Sequence, residues 1–170
     1  MDSGTFVDDV CSAIARGEST AAAGQTSSTS VPGNPIEVRE IVVRTGRIVC
    51  EVAIPDERFR RTSPKLAAFV TGQYPDLPHH ACVNDVGQVF GDVIGATSVP
   101  HLLEHVAISE QVRGDRGAAT STTFVGTTEW VDKTAGLARI ELGFRDDLEA
   151  LRAFGDATRF LNMAVITCLA

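Results

Sequence analysis

Residues 36–55, IEVREIVVRTGRIVCEVAIP, decide the fold class. Both halves, 36–44 and 47–55, are rich in Val and Ile, whose branching at Cβ suits a pleated, half-buried surface. Thr45-Gly46 between them is the short, glycine-containing break of a β-hairpin. The folded body should therefore open with two antiparallel strands. A second pair follows at 121–131 and 137–144. In the latter, Ile140, Leu142 and Phe144 fall on one face and Arg139, Glu141 and Gly143 on the other.

Helical patterns fill the remainder. Ser63-Pro64 opens a helix with Leu66, Phe69 and Val70 on its apolar face. Residues 75–87, PDLPHHACVNDVG, read as a loop, and 86–94 as a weak helix. Thr97 or Ser98 caps the next helix, Pro100 lies in its first turn and Gly114 marks its end. Asp146 or Asp147 caps a last helix reaching about Leu169, with Leu148, Leu151, Phe154, Phe160, Leu161 and Val165 placed to pack on a sheet. The order β-β-α-α-α-β-β-α predicts an α+β fold: an antiparallel sheet of two hairpins with helices on one side, a two-layer sandwich.

Residues 18–35 are small, polar and rich in breakers, as a flexible linker is. Ahead of them Phe6, Val10 and Ile14 have helical spacing, so a short helix could dock on the body or on a second copy in a homo-oligomer. The expected division is a flexible segment 1–35 and a single metal-binding domain 36–170. The net charge of −7 argues against nucleic acid or an anionic membrane surface as partner. No apolar run is long enough to span a bilayer. Asp2, Asp8 and Asp9 precede the first Arg, unlike the basic start of a signal peptide. A cytoplasmic, reducing location is expected, with Cys11, Cys50, Cys82 and Cys168 as thiols. No pair of them forms the CxxC of a zinc ribbon. Cys11, Cys50 and Cys168 are read as packing residues.

The chemistry centres on His101-Leu102-Leu103-Glu104-His105. Residues i and i+4 of a helix lie one above the other, so His101 and His105 can chelate one ion. Glu104 shares their side, while Val99, Leu102, Leu103 and Val106 seat the helix in the core. Zinc suits a His-rich site that polarises a carbonyl. The HxxEH spacing is that of the inverted zincin peptidases, in which both His bind zinc and the Glu activates water. A third ligand must come from elsewhere, with Glu141, His80, Cys82 and His79 as candidates. Cys82 would make a His2Cys set, as in S-ribosylhomocysteine lyase, and would move the reading from peptidase toward lyase.

Residues 79–112, HHACVNDVGQVFGDVIGATSVPHLLEHVAISEQV, resemble the N-terminal domain of cyanophycin synthetase. HLLEHVAISEQ is similar to that family's H-[hydrophobic]2-EHVALELQ helix, and His80 and Cys82 fall on its HxC. FVGTTEWVDKTAGLARIELGF, residues 124–144, is similar to the family's GxTxE turn and following strand, which places Glu141 on its carboxylate. The likeness covers about residues 36–169. It departs at Thr127-Thr128, where the family has Arg, and at Pro100, where it has Gly. The 170 residues contain no Gly-rich ATP loop, so polymer synthesis is not expected. The resemblance implies a zinc-dependent hydrolase that cuts an Asp-Arg polymer or related peptides. His101, His105 and Glu141 hold the metal and Glu104 is the base. The alternatives are a binding module with a vestigial site and a metal-dependent lyase with Cys82 as ligand.

Overall fold

A computed structural model describes residues 33–115 and 124–170. The compact body begins at Gly33, and residues 1–32, with the predicted helix at 5–15, lie outside the described residues. The body contains strands β1 (Glu37–Arg44), β2 (Arg47–Ala53), β3 (Gly126–Asp132) and β4 (Leu137–Gly143). Helices α1 (Pro64–Gln73), α2 (Val99–Gly114) and α3 (Asp147–Leu169) complete it. The strands form one open antiparallel sheet in the order β1-β2-β4-β3, with the three helices against it. This is the α+β two-layer arrangement expected from the hydrophobic periodicities.

Local chemistry explains the elements. Arg44 pairs with Arg47 across the Thr45-Gly46 turn, and Gly46 supplies the positive φ of +74° that a tight hairpin needs. The second hairpin closes where Asp132 Oδ1 accepts from the N–H groups of Thr134 and Ala135. Each helix has a side-chain N-cap: Ser63 accepts from Leu66 N, Ser98 from His101 N, and Asp146 from Glu149 N. Asn162 of α3 accepts from the N–H of Ile36 and donates to its carbonyl, tying the first strand's entry to the core.

Alternation along β2 and β4 puts Ile48, Cys50, Val52, Ala138, Ile140 and Leu142 in the core, all fully buried. They meet Val99, Leu102, Leu103 and Val106 of α2 and Phe154, Leu161 and Val165 of α3. Burying a side chain of this size contributes about 1.5–3 kcal/mol. Cys50 and Cys168 are buried, as their reading as packing residues requires, while Cys11 lies outside the described residues.

Two expectations are corrected. Residues 86–94 form no α-helix, only a 3-10 turn at Phe90–Asp92. Gly87 and Gly91 weaken helix propensity there, and a Cβ on Gly91 would stand 2.9 Å from the Pro78 carbonyl. Leu148 is exposed rather than packed, because at about 100° per residue it lies roughly 160° around α3 from the fully buried Ala150 that begins the packed stripe. No helix among the described residues is long and apolar enough to cross a membrane.

Candidate metal centre

The face of α2 opposite its packed leucines opens into a cleft of about 1010 Å³ between the edge strand β3 and the loop at 80–88. The loop is shaped to present Cys82. Ala81 bridges to Val89, Cys82 N donates to Gln88 O, and Phe90 N donates to His80 O. Asn84 Oδ1 closes the tip by accepting from the N–H groups of Val86 and Gly87.

Cys82, His101 and His105 converge, each offering one ligand atom within 4.8 Å of the others. Cys82 Sγ is 3.4 Å from His101 Nε2, which is 3.2 Å from His105 Nε2. Tetrahedral zinc with bonds near 2.0–2.1 Å to nitrogen and 2.3 Å to sulfur sets N···N at about 3.3 Å and N···S at about 3.5 Å. The two edges that meet at His101 Nε2 match those values and the third lies within 4.8 Å, so these three residues could hold a metal ion.

The remaining imidazole nitrogens are held by other groups. His101 Nδ1 lies 2.9 Å from Thr97 Oγ1, which can accept its proton and leave Nε2 bare. His105 Nδ1 lies 3.2 Å from His80 Nδ1, and His80 Nε2 lies 3.1 Å from Asp76 Oδ2. A carboxylate only accepts, so in the neutral chain His80 carries its proton on Nε2 and accepts at Nδ1 from His105. That assignment leaves His105 Nε2 bare toward Cys82 and His101. Ser109, one turn beyond His105, also donates to Asp76 Oδ2, at 2.7 Å. Such outer partners orient metal-binding histidines and raise their basicity.

The surroundings hold the two imidazoles neutral. Burial lowers the pKa of His101 and, with the like charges of His101 and His80, brings that of His105 down to about 3. Both imidazoles are therefore neutral near pH 7, as ligation requires. Phe90 supplies much of that apolar cover, stacking on His105 at 3.8 Å between centroids and meeting His101 edge-on. Burial raises the Cys82 thiol, and the Glu104 carboxylate adds to the rise. Partial burial opposes ionisation of Asp76, yet the hydrogen bonds from Ser109 and His80 hold it below the ordinary carboxylate range.

Glu104 is buried beside the cluster, 5 % exposed. Its Oε2 accepts from Thr128 Oγ1 at 2.5 Å, across from β3. Burial raises its pKa, partly offset by that hydrogen bond. Gly126 makes the close approach possible, since a Cβ there would sit 2.7 Å from Glu104 Oε1.

The structure does not bring Glu141 to the histidines. Cross-strand neighbours share a face, and Glu141 pairs with Thr127 whereas Ile140 pairs with Thr128. Thr128 faces α2, so Glu141 faces away and forms an ion pair with Arg47 at 3.1 Å. Cys82, and not Glu141, stands beside the two histidines. His80 lies behind His105 as a hydrogen-bond partner, and His79 is exposed at the end of a 3-10 turn. Of Asp76, Phe90, Thr97, Ser109 and Thr128, none was read from the sequence as a site residue: Thr97 entered only as a cap candidate and Thr128 only as a departure from the family pattern. Asp76 and His80 are four apart, and Ser109 continues the His101-His105 stripe by one further turn. Those spacings carried the signal for two of the five.

A comparison with protein-family models finds no match for this chain, and a comparison with curated proteins finds none either.

Proposed function

We propose that the chain is a metal-dependent hydrolase of peptide-like bonds, with zinc held by Cys82, His101 and His105 and with Glu104 as general base. The observation carrying this reading is the convergence of Cys82, His101 and His105, with the two edges at His101 Nε2 near tetrahedral values, beside a buried carboxylate in an open cleft. One thiolate and two neutral imidazoles leave a divalent ion a net single positive charge, as a carboxylate in place of Cys82 would. Bound there, zinc supplies Lewis acidity, which polarises a carbonyl and acidifies water.

Glu104 accepts the proton of the attacking water and returns it to the departing amine. Its raised pKa brings it nearer the working pH than an ordinary carboxyl group. Thr128 fixes one of its oxygens and leaves the other for this exchange. Thr97 and the His80–Asp76 pair hold the imidazole rings in the tautomers that ligation needs.

The Cys82 ligand also favours a second reading, a metal-dependent lyase or isomerase in which Glu104 moves a proton on the substrate. The two differ in the fate of water. Zinc-loaded protein is incubated in ¹⁸O-water with capped peptides and with the Asp-Arg polymer cyanophycin, and the products are weighed by mass spectrometry. One ¹⁸O in each new carboxyl group is expected. Turnover of a small carbonyl substrate with no ¹⁸O in the product's new groups would establish the lyase. Full zinc occupancy with no turnover would leave the site as a binding module.

A further inference from the structure

We infer that the cleft takes an extended peptide segment with uncharged, largely apolar side chains, which adds as a fifth strand to the open edge of β3. The inference rests on the hydrolase reading and names its substrate class.

The edge is read from the ladder. Gly143 N donates to Val125 O at 2.8 Å, so residues 125 and 143 form a hydrogen-bonded pair. In an antiparallel ladder such pairs alternate with pairs whose N–H and C=O groups point away from each other. Thr127 and Glu129 therefore bond to β4, and Gly126, Thr128 and Trp130 turn their main-chain groups outward. Among the described residues no strand pairs with that side of β3. The two edges of the sheet differ. β1 carries Glu37, Arg39, Glu40 and Arg44 and a register shift between Val38 and Glu40, features that discourage pairing. β3 has a shift of its own only at its far end, between Trp130 and Asp132; it opens with Gly126-Thr127-Thr128, uncharged and in register with β4, and these residues line the cleft that holds Cys82, His101 and His105.

The lining sets the side-chain class. Val83 and Val125 are strongly exposed at the cleft, joined by the exposed Val112 and the partly buried Ile108 and Trp130. Of the two carboxylates among the described lining residues, Glu104 lies inside the cleft, whereas Glu129 turns to the outer face and pairs with Arg139, and no Lys or Arg is there to meet a substrate carboxylate. A strand added to an edge takes its affinity from main-chain hydrogen bonds and its specificity from alternate side chains. An aspartate-rich peptide would set its carboxylates against these valines with no Lys or Arg to pair with them.

The test uses the full-length, zinc-loaded protein carrying Glu104→Gln, so that bound peptide stays intact. Fluorescence anisotropy follows a capped, labelled decapeptide alternating Val and Gln, an Asp-for-Val counterpart, and an N-methyl scan of the first peptide. The Val peptide should bind at least about tenfold more tightly than the Asp peptide. N-methylation should weaken binding about tenfold at every second residue and little between, the signature of one lost hydrogen bond per inward N–H. Val83→Asp and Val125→Asp, on exposed positions, should each weaken it. Tighter binding of the Asp peptide, or an N-methyl scan without a period of two, overturns the inference. These outcomes are separable from failure of the hydrolase reading. Wild type that cuts only the Asp-Arg polymer keeps the hydrolase and sinks the apolar class. Period-two binding without any cleavage sinks the hydrolase and keeps the strand site.

Discussion

The cleft and the outer face of the sheet both gather ionisable side chains, and they do so in opposite ways. On the outer face Arg47 meets Glu141, and Arg139 bridges Glu51 and Glu129, each pair partly exposed. Charge there is neutralised by charge, in water, and no further group is called for. In the cleft, Cys82, His101 and His105 bring three electron-pair donors together under Phe90, with the buried Glu104 alongside. No Lys or Arg among the described residues lines that space. The second arrangement can hold a cation, whereas the first has no need of one. Grouping alone is therefore a poor guide to a metal site, and the sign and protonation of the grouped atoms are a better one.

The largest expected contrast between the two regions is in metal content. His101→Ala and His105→Ala should each abolish zinc retention through gel filtration, read by elemental analysis, because two ligands hold the ion far less well than three. Cys82→Ser should weaken retention strongly, whereas Glu141→Ala should leave it at the wild-type level. Cobalt-loaded wild type should show a thiolate charge-transfer band in the near ultraviolet that Cys82→Ser removes. Zinc lost on Glu141→Ala and kept on Cys82→Ser would reverse the assignment.

Glu104→Gln comes next. It should retain metal and lower the hydrolysis rate by about 10²–10⁴-fold, the usual span for a general base. Loss of metal would instead make Glu104 a ligand. The outer partners should matter less: Asp76→Ala or His80→Ala is expected to weaken zinc affinity by about 10–100-fold, measured by competition with a chelator. An unchanged affinity would mean that the ring orientation of His105 is set by Phe90 alone.

Acid sharpens the comparison in the metal-free protein. His105 in the fold has a pKa of about 3 against an ordinary 6.5, so between those values the unfolded chain binds the proton and the native state does not. The stability tied to its neutral form is fully present above about pH 6.5 and is lost as pH falls toward 3. The thermal midpoint of His105→Gln should therefore fall less steeply over that window than that of wild type. Parallel curves would show that the imidazole is not held neutral. Glu141→Gln on the outer face should cost only about 0–1 kcal/mol by denaturant melt, since exposed ion pairs contribute little.

Much of the architecture was legible along the chain because periodicity reports which side of an element is dry. The hairpin at 36–55, the alternation of Ile140 and Leu142, and the caps at Ser63, Ser98 and Asp146 are local chemistry, and each stands where its residues put it. The stacking of His101 and His105 on one side of α2 is likewise a property of the helix. The same local logic over-read residues 86–94, where Gly87 and Gly91 favour a turn and Phe90 is drawn into the core.

Tertiary structure decided which candidate third ligand stands beside the histidines. Alternation tells that Ile140 and Glu141 point to opposite faces, but not which face the metal helix will cover. Once the apolar row of β4 packs against α2 and α3, Glu141 must turn outward to Arg47. Cys82 reaches the histidines through a bridged loop whose path depends on contacts between Ala81 and Val89, and between His80 and Phe90. The depressed pKa values of His101 and His105 and the raised one of Glu104 are also products of assembly. Residue identity sets the ordinary value, and only burial among distant partners moves it.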